Sequence, residues 1–256
     1  MSSNSSRKAP ARKASNTAAK VARMLTGTAL GRRAVTSLKN GTRSSGLDEW
    51  LVPLFGEELD RIEAAVAGAG PEGYAEFKPL DDDLWSLLLI KEYESYPGIR
   101  NFLPDLPDPA LQQMWNGTSG PALAAQSVCF YRKLKEMQKA HGESKLKKSK
   151  VLDFGCGWGR LTRMLAKDLK PGNLYGCDPV DDILDVCRQG GVPADLARSE
   201  FLPETLPFSE KFDLIFAFSV FTHISEAAHI ASLKAIHDGL EPGGLFVVTI
   251  RPPAYV

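Results

Sequence analysis

The sequence predicts an α/β chain: a doubly wound, mostly parallel sheet preceded by a helical extension and a basic tail. Three observations predict it. From Val151 onward, short apolar runs alternate with helix-like runs, the pattern of strands joined by crossover helices. The first apolar run leads into Gly155, Gly157 and Gly159 at alternating positions, then into a helix-like run over residues 160–169. That is a buried strand, a tight turn and a helix start. The second apolar run, residues 173–177, ends in an acid, Asp178, where open α/β sheets place a group that accepts from ribose hydroxyls.

Taken in order, residues 1–45 hold ten of the 31 Lys and Arg and no acid, so the remainder carries 21 bases against 31 acids. Residues 1–20 have almost no large apolar group, so a disordered basic tail is expected over 1–45. Residues 21–38 could form a weak amphipathic helix, opposed by Gly27 and Gly31. Such a tail suits anionic lipid, nucleic acid or an organelle-targeting signal, or is simply solvated. A helical extension is expected over 46–120. Residues 48–67 place Trp50, Leu51, Leu54, Phe55, Leu59, Ile62 and Val66 on one face, with a break expected at Pro53 and Gly56. Asp81, Asp82 and Asp83 cap a helix over 84–93 that Pro97-Gly98 should stop, and a short helix should reach Trp115. Residues 116–120 read as a polar turn, and Pro121 opens a helix to about residue 139.

The sheet domain is expected over 121–256. Its strands are read at 150–154, 173–177, 194–201 (the weakest), 212–218 and 245–250, with helices at 160–169, 181–189 and 226–240. Glu241-Pro242-Gly243-Gly244 reads as a tight turn into the fifth strand. No apolar run approaches the ~20 residues that span a bilayer. The four cysteines, Cys129, Cys156, Cys177 and Cys187, form no C-x-x-C pair and no zinc spacing with histidine, so no metal is expected. They read as reduced thiols in a cytosol-like compartment, with Cys156 structural.

The glycine spacing is G-x-G-x-G rather than the G-x-G-x-x-G of dinucleotide binders. Four stretches, in order, resemble the motifs of class I S-adenosylmethionine-dependent methyltransferases of the bacterial small-molecule type: residues 153–161 (DFGCGWGRL), 174–178 (LYGCD), 212–224 (FDLIFAFSVFTHI) and 240–245 (LEPGGL). The helix opened by Pro121 and the turn before it resemble the cap that precedes this fold. The resemblance implies a Rossmann-like sheet of order 3-2-1-4-5, S-adenosyl-L-methionine as cofactor and methyl transfer to an O or N of a small-molecule or glycan-like acceptor. It implies cofactor contacts from Asp153, Gly155, Cys156, Gly157, Trp158, Gly159, Asp178, Pro179, Phe218 and Ser219. After the third strand, Ser199 and Glu200 are the candidates for the adenine amino group. The family sheet usually closes with an antiparallel hairpin, whereas the pattern here stops after the fifth strand. Residues 245–250 are therefore expected to form an open, aggregation-prone edge.

An alkylsulfonium methyl is already electrophilic, so a transferase mainly aligns the nucleophile and excludes water. His223, the histidine at the sheet's carboxyl edge, is the candidate base, against the reading that it only packs or caps. The sequence names no acceptor and no specific nucleic-acid target, and leaves the oligomeric state open. Two other classes stay in view: a non-catalytic cofactor-binding module, and a nicotinamide-dependent oxidoreductase, disfavoured by the glycine spacing.

Overall fold

Five short strands among the described residues make one sheet. In the computed structural model, which describes residues 47–251, β1 (Val151–Phe154), β2 (Leu174–Asp178), β3 (Asp195–Arg198), β4 (Phe212–Ala217) and β5 (Leu240–Val248) lie in the order β3-β2-β1-β4-β5. Every pairing is parallel. The three inner strands are buried almost throughout, as expected where helices cover both faces. The expected tail over 1–45 and the weak helix at 21–38 lie outside the described residues.

Among the described residues, eight α-helices accompany the strands: α1 (Asp48–Val66), α2 (Asp82–Leu89), α3 (Pro97–Phe102), α4 (Pro109–Asn116), α5 (Gly120–His141), α6 (Thr162–Leu165), α7 (Asp181–Gln189) and α8 (Glu226–Gly239). Local chemistry sets several ends. The Asp108 carboxylate accepts from the amides of Ala110 and Leu111, Pro109 fills the first turn of α4, and Gly117 closes it at φ 71°. The Asp81 carboxylate caps α2, and Ser225 Oγ caps α8.

Several sequence expectations are corrected. Helix α1 runs through Pro53 and Gly56 unbroken. Proline there removes only a hydrogen bond near the helix start, and the buried Trp50, Leu51, Leu59, Ile62 and Val66 outweigh it. Pro97 does not stop a helix but starts α3, since its fixed φ and missing N–H suit the first turn. α2 instead ends at Leu89, just before Lys91 turns to φ 57°. The helix expected over 160–169 shrinks to α6, because Met164, Ala166 and Asp168 donate to carbonyls three residues back and tighten the segment. The turn at 241–244 is a bulge within β5. Leu240 pairs with Phe212 and Leu245 with Leu214, so four residues oppose one. β5 is an edge strand of the sheet, and its residues 244–248 are only half-buried.

The extension and the sheet share one hydrophobic cluster, running from Trp50, Ile62, Trp85 and Tyr93 through Tyr131 to Val151, Leu214 and Phe216. Buried polar links fix the join. Trp85 Nε1 donates to the Met164 carbonyl at 2.9 Å, and Lys167 Nζ reaches the Leu80 carbonyl at 2.6 Å and Asp82 at 3.2 Å. Arg163, fully buried, donates to the carbonyls of Trp158, Gly159, Pro104 and Asp105. The glycine turn is thus tied directly to the loop that leads into α4.

Candidate functional site

The carboxyl ends of β1, β2 and β4 converge on the glycine turn. Gly155 and Cys156 donate their amides to the Cys177 carbonyl at 2.8 and 3.0 Å, which ties the turn to the end of β2. Gly155, Gly157 and Gly159 all have positive φ (76°, 55° and 78°), so L side chains are disfavoured at each. Their surroundings differ. A Cβ on Gly155 would collide with Val220, and one on Gly159 would lie 2.7 Å from Cys187 Sγ. A Cβ on Gly157 would meet only the Trp115 ring, at 3.8–3.9 Å. The outer two glycines serve packing. At the middle one a Cβ would touch only the Trp115 ring, and that room is a candidate cradle for a ligand.

Two buried carboxylates support that cradle. Asp178 accepts from the Gly157 amide and the Val180 amide, each at 3.0 Å. Burial raises its pKa against the opposing pull of those two N–H groups. Asp153 lies under the turn and accepts from Thr162 Oγ1 at 2.6 Å. Burial pushes its pKa up to about 7, partly offset by Thr162 and by the Arg160 guanidinium. A carboxyl raised from 3.8 to about 7 stabilises the fold fully below pH 3.8 and loses that contribution as pH rises through 7. Asp153→Asn should therefore make the ligand-free fold less pH-dependent. The parent should lose roughly 2–3 kcal/mol between pH 5 and 8, equivalent to ~5–10 °C, and the variant should not. Parallel thermal melts of both proteins across that range measure it, and identical pH slopes would refute the assignment.

The other predicted residues divide. Cys156 is buried, its Sγ donating to the Gly157 carbonyl at 3.6 Å, and the neighbouring Cys187 together with burial pushes its thiol well above the usual range. The Trp158 side chain is buried against Leu123 and Ile183, with Nε1 donating to Asn116 Oδ1 at 3.1 Å. Pro179 follows Asp178 directly, at the end of β2. Ser199 is buried and donates its amide to the Asp178 carbonyl, while Glu200 lies exposed in a groove with Phe201, Leu202 and Glu204. β4 ends at Ala217, one residue before Phe218, because Ser219 adopts φ 64°. That left-handed residue is rare for serine and marks stored strain. The Ser219 amide donates to Thr249 Oγ1 at 2.7 Å, and Ser219 Oγ lies 3.3 Å from His223 Nε2. Ser219 and His223 are both exposed.

Sequence reasoning missed the wall contributed by the extension. Trp115, 42% exposed at the end of α4, faces the Gly157 opening. An exposed tryptophan beside a polar turn was the available signal. Arg160, Gln126, Thr162 and Thr249 were also missed. A separate cavity of about 250 Å³, lined by Tyr74, Leu169, Leu174 and Val192, sits at the opposite, amino-terminal end of the sheet and contains none of the predicted site residues. Among the described residues, no group of three or more His, Cys, Asp or Glu is placed to hold a metal, and no helix is long and apolar enough to cross a membrane.

Comparison with known proteins fits this geometry. Residues 151–244 match the family described as "Methyltransferase domain". A ubiquinone biosynthesis O-methyltransferase of Pseudomonas aeruginosa is 32% identical over 116 residues, covering 42% of this chain and 47% of that protein. A trans-aconitate 2-methyltransferase of Rhizobium rhizogenes is 28% identical over 99 residues, covering 39% and 37%. The chain thus spans about half or less of the length of these curated relatives. Among solved structures, an amino pentose methyltransferase from Micromonospora echinaspora aligns over 56% of this chain and 57% of its own, at 18% identity and a TM-score of 0.43. The family match covers the glycine turn, the acid closing β2 and the start of β5, so residues 151–244 resemble a methyltransferase domain.

Proposed function

We propose that this chain transfers a methyl group from S-adenosylmethionine to an oxygen or nitrogen of a small-molecule or glycan-like acceptor. The observation that carries this reading is the Gly157 cradle, left open beside two buried carboxylates at the carboxyl edge of the sheet. The cofactor supplies a methyl already activated on a sulfonium; the residues of this chain hold, orient and shield it. The Gly157 backbone gives the close approach. Asp178, held at the β2 end by two amides, keeps lone pairs free for ribose hydroxyls. Ser199 and Glu200, which follow β3, are placed for the adenine edge. Asp153 stiffens the turn from below through Thr162. Trp115 walls the opening from the extension side and excludes water.

The acceptor is brought to the segment after β4. His223 takes a proton from an acceptor hydroxyl there, and Ser219 orients the imidazole through its Oγ. The exposed position of both side chains suits an acceptor that arrives from solvent.

Calorimetric titration with S-adenosylhomocysteine tests the reading. The parent should bind, and Asp178→Ala should weaken binding by about 1.5–3 kcal/mol, the scale of hydrogen bonds to a charged group. Binding of NAD in place of S-adenosylhomocysteine would overturn the cofactor assignment. Equal affinity in parent and variant would overturn the role given to Asp178.

A further inference from the structure

Two arginines follow the glycine turn, and they behave differently. Arg163 spends four of its five donors on backbone carbonyls and is fully buried, which keeps it from a ligand. Arg160 is half-buried between the turn, α5 and the end of β4. Its guanidinium lies 4.7 Å from the centre of the Phe218 ring, and Nη1 donates to Gln126 Oε1 at 2.6 Å. Phe130 packs edge-on against the other part of Phe218, with ring centres 4.6 Å apart. Gln126 is neutral, and among the described residues no acid comes within ion-pair distance of Arg160 and no other acceptor takes a hydrogen bond from its guanidinium.

This is a half-buried cation over the Phe218 ring that has no ion-pair partner among the described residues. Burial lowers its pKa to about 10, with only the nearby Asp153 opposing. Arginine offers five donors in a planar fork that matches a carboxylate, and one of them is spent. Charge-assisted pairs of this kind are strong where water is excluded. Gln126 holds one end of the fork from α5. Phe218 and the Ser219–His223 pair follow on the same segment, so an anion on Arg160 would sit between the cofactor cradle and the acceptor side.

We infer that Arg160, steadied by Gln126 over Phe218, is a carboxylate-binding residue of this site. The carboxylate comes either from the amino-acid end of the cofactor, which rests on the function proposed above, or from an acidic acceptor. The same chemistry serves both, and the two sources are separable.

The test uses the full chain and two ligand pairs that differ in a carboxylate. The first is S-adenosylhomocysteine against 5′-methylthioadenosine, which lacks the amino-acid end, measured by calorimetry. The second is benzoate against benzamide, measured by ligand-observed NMR with S-adenosylhomocysteine present. The parent should favour the carboxylate member of at least one pair by roughly 10–100-fold. Arg160→Gln should erase that preference while leaving the carboxylate-free member unchanged, and Arg160→Lys should restore part of it. A preference in the first pair assigns the cofactor as source, and one in the second assigns the acceptor. Gln126→Glu adds the opposite perturbation. An internal carboxylate would neutralise Arg160, so the variant should melt higher than the parent yet lose the same preference. A merely structural arginine would not give that combination. The inference fails if the parent shows no preference in either pair, if Arg160→Gln weakens both members of a pair alike, or if Gln126→Glu binds like the parent. A parent that binds neither nucleoside would overturn the cofactor reading instead, and the benzoate pair would still decide Arg160.

Discussion

Replacing Gly157 with valine should abolish S-adenosylhomocysteine binding while leaving a folded protein. The two halves of this expectation come from different observations. Gly157 has φ 55°, so a β-branched residue there is strained by about 1–3 kcal/mol, enough to lower the melting temperature but not to unfold a domain of this size. Nothing in the protein collides with a Cβ at that position, the Trp115 ring being 3.8–3.9 Å away. The added branches would therefore occupy the space left for ligand, and affinity should fall by at least about 10³-fold, the loss of close backbone approach plus displaced contacts. Gly159 provides the contrast. A Cβ there would sit 2.7 Å from Cys187 Sγ and 2.9 Å from Val192, so Gly159→Val should damage the fold itself. Circular dichroism and calorimetry on both variants separate these effects. A Gly157→Val protein that binds S-adenosylhomocysteine as the parent does would show that the ligand lies elsewhere.

Turnover should drop ~10²–10⁴-fold in His223→Ala, with cofactor affinity nearly intact. His223 is exposed, and its Nε2 lies 3.3 Å from Ser219 Oγ, so its removal leaves no buried group unpaired. The effect should fall on the chemical step, lowering kcat rather than weakening S-adenosylhomocysteine. Ser219→Ala should produce a smaller loss, because it frees the imidazole without removing it. The expectation holds for a hydroxyl acceptor, which must lose a proton to react. Single-turnover assays on an acceptor panel measure it, and a loss below tenfold would leave His223 with a packing role.

The sheet was legible because its signals are local. β1 and β2 are short apolar runs closed by Gly155 and by Asp178, β4 is an apolar run, and parallel strands need a crossover helix that the same pattern supplies. The strand order came from resemblance rather than from periodicity, and the structure has that order. The misread elements share a cause. Pro53 and Pro97 have opposite effects depending on their distance from a helix start, and the start depends on packing that no local pattern contains. The segment after Gly159 reads as a full helix, yet Arg163 and Thr162 draw their hydrogen bonds from the turn and from Asp153.

The same division applies to the site. The sequence by itself determined the α/β class, the glycine turn, the acids at Asp153 and Asp178, and the cofactor class they resemble, because these are fixed by residue type and spacing along one chain. Only the tertiary structure decided that a Cβ on Gly157, unlike one on Gly155 or Gly159, would meet no close neighbour but Trp115, that Ser219 takes a left-handed φ beside His223, and that Arg160 has no ion pair while Arg163 is buried among carbonyls. Each of these depends on atoms brought together from distant positions: α4 against the turn, β5 against the segment after β4, and α5 against Phe218. Close packing settles such contacts in three dimensions, and the spacing of residues along the chain does not encode them.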